Sequence, residues 1–123
     1  MKKLLFVVVG IFIFLLNSSN LYSQDLKKAK SEYVKMLTDT TFLKAYEVKL
    51  NPGEKTGMHS HPNHFFYVLS SEGKLIVHFK DGRDDVPYNL KNGDFGVQGP
   101  EGAHITENVG TTVAKYLVVE MKE

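Results

Sequence analysis

The stretch Gly53-Glu54-Lys55-Thr56-Gly57-Met58-His59-Ser60-His61-Pro62-Asn63-His64-Phe65-Phe66-Tyr67-Val68-Leu69 places three histidines just ahead of an apolar run. Side chains alternate across a strand, so His59 and His61 share a face and can present two neutral imidazoles to one cation. Ligands of this kind suit Zn, Fe, Ni, Mn or Cu. Pro62 removes a ladder donor and lets the chain turn. His64 stands at odd spacing from the pair, so it either swings back from the next strand as a further ligand or lines the rim.

A second stretch, Gly93-Asp94-Phe95-Gly96-Val97-Gln98-Gly99-Pro100-Glu101-Gly102-Ala103-His104-Ile105-Thr106-Glu107-Asn108, ends a Gly/Pro-rich turn at a fourth histidine. The turn delivers His104 at the start of a strand. With His104 inward, alternation places Thr106 and Asn108 inward and Glu107 outward. Around these stretches the period is two. Phe42, Tyr46, Val48 and Leu50 line one face with Lys44 intruding, and residues 65–69 and 75–79 flank a Ser-Ser-Glu-Gly turn. Asp81-Gly82 and Asn92-Gly93 are hairpin signals, and residues 113–121 form a last strand apolar enough to be covered on both faces. Phe65, Phe66, Tyr67, Phe79 and Phe95 are assigned to the core. His78 falls opposite Leu75, Val77 and Phe79, so it is a surface residue and not a ligand. Many short strands with regular turns describe a sandwich or barrel able to enclose one small ligand.

The two stretches together resemble the paired motifs of the cupin superfamily, small β-barrels that usually bind one divalent metal. Gly53, His59, His61 and Gly73 match the first motif, and Gly93, Pro100, Gly102, His104 and Asn108 match the second. The resemblance implies an all-β, single jelly-roll barrel of the RmlC-like type. It implies a metal held by His59, His61 and His104, with a homodimer as the family's frequent assembly. His64 stands where many cupins carry the metal-binding glutamate, so the usual three-histidine, one-glutamate set becomes a four-histidine set: His59, His61, His64 and His104. With no carboxylate, the ion's charge stays uncompensated, which favours Lewis-acid or binding roles over redox chemistry.

The start of the sequence bears on location. Lys2 and Lys3 precede an unbroken apolar run over residues 4–16, and a polar, small-residue segment follows to Ser23. This describes a signal peptide over residues 1–23, too short in its apolar part for an ordinary membrane span. The expectation is export to the periplasm or beyond, the alternative being an uncleaved membrane anchor. Residues 24–40 then form a lead-in, with residues 24–35 either a short amphipathic helix or a linker into a strand, and residues 41–123 form the barrel. Loss of the leader moves the formal charge from +1 to −1, and no basic cluster suggests nucleic acid as partner. The chain has no cysteine, which excludes disulfides, thiol catalysis and lipidation at cysteine.

Two function classes share the metal. The first is an exported binding protein for a small-molecule ligand. The second is a metal-dependent enzyme, either a dioxygenase or a hydrolase or isomerase that activates water. No catalytic residue is assigned, because no inward carboxylate is expected on the motif strands, although a loop residue such as Glu101 or the hydroxyls of Tyr46, Tyr67 or Tyr116 could serve. A structural module with unused histidines is the blandest alternative.

Overall fold

A computed structural model describes residues 33–123, and the expected leader over residues 1–23 and most of the lead-in lie outside them. The described residues form nine strands and no helix: β1 (Val34–Asp39), β2 (Leu43–Leu50), β3 (His59–His61), β4 (His64–Val68), β5 (Glu72–Phe79), β6 (Val86–Lys91), β7 (Phe95–Gln98), β8 (Glu101–Asn108) and β9 (Ala114–Met121). They build a five-stranded sheet in the order β1-β2-β9-β4-β7 and a four-stranded sheet in the order β3-β8-β5-β6, all pairs antiparallel. This is the expected jelly-roll barrel.

The inner faces follow from the period of two. On β2, Tyr46, Val48 and Leu50 are buried and meet Val68, Leu75, Leu90, Ala114 and Val118 from the other strands. On β8, His104, Thr106 and Asn108 all point inward and Glu107 outward, as alternation requires. Asn108 is a buried polar tie. Its amide donates to the carbonyls of Leu50 (2.9 Å) and Thr112 (2.9 Å), and its oxygen accepts from Gly110 N–H (3.0 Å).

Several sequence expectations are corrected. Phe42 precedes β2 in a turn closed by Thr40 and is 65% exposed, so it does not belong to the inner row. Phe95 is 68% exposed and Tyr67 is also on the outside. Tyr67 pairs with Phe95 and Leu117 on the outer face of the larger sheet, where Phe65 packs against Phe95. Of those aromatics, Phe66 does turn inward, and its ring lies over Gly96, where a Cβ would meet it at 2.5 Å. Asn92-Gly93 turns with positive φ at Gly93, but it joins β6 to β7 in different sheets, so it is a corner and not a hairpin. The β5–β6 pair is the hairpin across Asp81-Gly82. Residues 34 and 35 lie in β1, paired to β2, so the chain is extended there.

His78 is on the outer surface as expected, but it is not solitary. It bridges Asp85 through Nδ1 (2.8 Å) and Glu107 through Nε2 (2.8 Å).

Replacing Asn108 with Ala removes three hydrogen bonds, one to the buried Leu50 carbonyl and two to the half-buried Thr112 carbonyl and Gly110 N–H, and is expected to lower unfolding free energy by about 2–3 kcal/mol. Urea denaturation of Asn108→Ala beside Val97→Ala, a change at an exposed edge, measures it. Equal midpoints would show that the Asn108 tie contributes nothing.

Candidate metal centre

The two histidine stretches meet because they are cross-strand neighbours. β3 pairs with β8, with His59 directly opposite His104. The segment before β3 continues the same alignment through Gly53 N–H to Asn108 O (2.8 Å), Asn108 N–H to Glu54 O (2.9 Å) and Thr56 N–H to Thr106 O (2.9 Å). Pro62 and Asn63 then carry the chain into the other sheet, where His64 opens β4 opposite Gln98 and Glu120. The turn returns His64 to the same point. Ring centroids lie 4.3 Å apart for His59 and His104, 4.5 Å for His61 and His64, 4.8 Å for His59 and His61, and 5.1 Å for His61 and His104.

Each ring is held by its Nδ1. A carbonyl or carboxylate oxygen can only accept, so each Nδ1 must carry the proton. His59 donates to Gly57 O (2.8 Å), His64 to Pro62 O (2.9 Å) and His104 to Gly102 O (2.7 Å), in each case the carbonyl two residues earlier. His61 differs, donating to Glu120 Oε1 at 2.7 Å. This tautomer leaves Nε2 as the basic nitrogen of every ring, the form that ligates metals.

Two overlapping triples have ligand atoms within 4.8 Å of one another: His59, His61 and His104, and His61, His64 and Glu101. Nitrogens around a tetrahedral ion with bonds near 2.0 Å stand about 3.3 Å apart, so a modest inward closure would bring the rings to bonding distance. The donor set fits a transition ion. Imidazole-rich sites favour Zn, Cu, Fe, Ni or Mn over the oxygen-seeking Mg and Ca.

The expectation of no inward carboxylate on the motif strands is corrected at Glu101, offered by the sequence only as a loop residue, and a second carboxylate, Glu120, stands behind the rings from β9. Glu101 Oε2 lies 3.7 Å from His64 Nε2 and 3.9 Å from His104 Nε2. Counted back from His104, strict alternation would turn Glu101 away. The register shift between His59/His104 and His61/Glu101, where three steps on β8 match two on β3, is a bulge that turns it in. The glycines around Pro100 were the available signal. Glu120 is legible by simpler means, since it shares the inward row of β9 with Val118 and Ala114. Its Oε1 also accepts from Tyr46 O–H (2.7 Å), and Lys44 Nζ lies 3.6 Å from Oε2. Tyr46 is thus committed to Glu120, and Tyr67 is on the outer face.

His61, His64, Glu101 and His104 form the polar end of a cavity of about 70 Å3. Its walls are apolar, from Phe66, Leu75, Val77 and Leu90, with Gln98, Thr106, Tyr88 and Tyr116 as further polar groups. The space is small beside the roughly 150 Å3 cavity that encloses a benzene, so it suits a compact ligand of no more than about six heavy atoms. Burial holds the Tyr116 hydroxyl well above its usual range, so it can donate but does not ionise.

Burial also sets the charge of the cluster. It drives His59 down to about 3 against the upward pull of the Gly57 carbonyl, with His61 and His104 adding to the depression. His104 is lowered in the same way. Burial pushes the Glu120 carboxyl up, but hydrogen bonds from His61 and Tyr46 outweigh it and bring the group down to about 2.

The cupin domain family profile matches residues 46–120, more than half of the chain. An oxalate-binding protein from Thermotoga maritima is 36% identical over 74 residues, covering 58% of this chain and 56% of that relative. The chain therefore matches only about half the length of that curated relative. A cupin domain from Bordetella pertussis superposes with a TM-score of 0.65 at 22% identity, over 73% of this chain and 92% of that one. An RmlC-like cupin with a double-stranded β-helix fold from Methanocaldococcus jannaschii gives 0.58 at 19% identity, over 81% and 85%.

The sign of the pH dependence follows from the depressed histidine. The unfolded chain protonates His59 near pH 6.5 and the fold resists until about pH 3. In metal-free protein this contribution is complete above pH 6.5. It is lost as pH falls toward 3, at about 1.4 kcal/mol per pH unit for one such ring. The urea midpoint should therefore drop between pH 7.5 and pH 5, and the drop should shrink in His59→Gln. An equal drop in both proteins would assign the effect elsewhere.

Proposed function

We propose that this chain, which belongs to the cupin family, holds one divalent transition-metal ion on His59, His61, His64 and His104 and presents it to a small carboxylate ligand of the size of oxalate. The observation that carries this reading is the convergence of four buried imidazoles, each with Nδ1–H tied down and Nε2 left basic. A divalent ion bound there would supply a Lewis-acidic anchor for a carboxylate oxygen. The chain's own part is to orient the rings, to exclude water with Phe66, Leu75, Val77 and Leu90, and to limit the ligand to a few heavy atoms. The oxalate-binding relative supports a small dicarboxylate as that ligand. Export, in this reading, follows from the basic and apolar start of the sequence, with processing after Ser23.

A second reading, a metal-dependent dioxygenase, hydrolase or isomerase, is favoured by one observation. Glu101 brings a carboxylate to the polar end of the cavity, where it can accept a proton at Oε2. Metal-dependent oxygen uptake or ligand turnover, lost in Glu101→Gln, would select it over binding alone.

Elemental analysis of the protein recovered from its native host, beside a His104→Ala variant, tests the main reading. The expected result is about one equivalent of a transition metal per chain, absent in the variant. Calorimetric titration should then show oxalate binding to the loaded protein only. Protein that neither carries nor takes up metal would overturn the reading, and oxalate heat unchanged by metal removal would overturn the ligand's mode of attachment.

A further inference from the structure

We infer that Glu120 is an anionic partner of the metal centre distinct from Glu101, a positioning residue that acts on the ion through His61. The inference rests on the reading of the histidine cluster as a metal site. Three of the four rings lean on backbone carbonyls of their own strand or turn, at Gly57, Pro62 and Gly102. His61 alone among them leans on a carboxylate, and that carboxylate comes from the opposite sheet. A carboxylate accepts more strongly than a carbonyl and draws the Nδ1 proton toward itself, which enriches Nε2 in electron density and strengthens its bond to a cation.

Glu120 is built to stay in place. It lies on β9, between β2 and β4 in the middle of the larger sheet, and is 8% exposed. Tyr46 O–H donates to the same Oε1 that accepts from His61, and Lys44 Nζ stands 3.6 Å from the other oxygen. His61, by contrast, ends a three-residue strand beside a register shift, so its own backbone holds it weakly. The orientation of this ring is thus set from across the barrel. Four neutral imidazoles bring no negative charge of their own to a divalent ion; Glu101 stands on the Nε2 side of the cluster, and Glu120 places a second, buried negative charge one ring away, behind His61. Lys44 moderates that charge from the far side.

Cobalt(II) binding, measured by chelator competition and by the visible d–d bands, tests this on the full chain. Glu120→Gln keeps an oxygen that accepts from His61 and Tyr46 and removes the charge, together with the oxygen that faces Lys44. It is expected to weaken cobalt(II) binding about 10–100-fold, with shifted d–d bands and an unchanged circular dichroism spectrum. Tyr46→Phe, which keeps the charge and removes a hydroxyl that lies 2.7 Å from Glu120 Oε1 and 3.3 Å from His61 Nδ1, should weaken binding less. Wild-type protein that binds cobalt(II) while Glu120→Gln binds within twofold of it, with the same bands, would overturn the inference and leave the metal reading standing. Wild-type protein that binds no cobalt(II) would overturn both. If Glu120→Gln does not fold, Lys44→Met carries the test: it unmasks the carboxylate and should tighten cobalt(II) binding several-fold, and unchanged or weaker binding would overturn the inference.

Discussion

A buried imidazole needs a partner for its N–H, and in this barrel that need fixes nearly everything about the site. Each of the four clustered rings finds an acceptor for Nδ1–H within 2.9 Å. Since acceptors hold the Nδ1 side, the Nε2 side is what each ring can turn toward the others. The same burial that demands the pairing keeps His59 and His104 neutral, so rings 4.3 Å apart can coexist without charge repulsion. Tautomer, orientation and charge state thus come from one constraint.

That constraint explains why the backbone around the histidines looks as it does. Three of the acceptors are carbonyls two residues before the ring they hold, which requires the chain to curl just ahead of each histidine. Gly57, Pro62 and Gly102 stand at those three places, residues suited to such turns. The regular strands that follow, β4 and β8, then run into a core of ordinary apolar packing.

Much of this was legible in the sequence, because it depends on spacing alone. Alternation in β8 correctly sent His104, Thr106 and Asn108 inward and Glu107 outward, and alternation in β5 correctly placed His78 on the surface. What failed was whatever depends on breaks in alternation or on which sheet a strand joins. Glu101 turns inward only because β8 bulges, and Phe95 is exposed only because β7 is an outer edge beside β4. Asn92-Gly93 has the chemistry of a hairpin turn, yet nothing local says that the strands it joins will part company. Glu120 is a different case: alternation in β9 places it in the inward row with Ala114 and Val118, but its role shows only when its partners, Tyr46 and His61, arrive from two other strands.

The origins of the side chains at the centre have a mechanical consequence. His59, His61 and His104 belong to the smaller sheet, and His64 to the larger. An ion gripped by all four would rivet the two sheets together, where no cysteine is available to do so covalently. The barrel would then resist prying open with the logarithm of the free ion in its surroundings, gaining about 1.4 kcal/mol for each tenfold excess over the dissociation constant. Scarcity of metal would register as a loosened barrel as well as an empty centre.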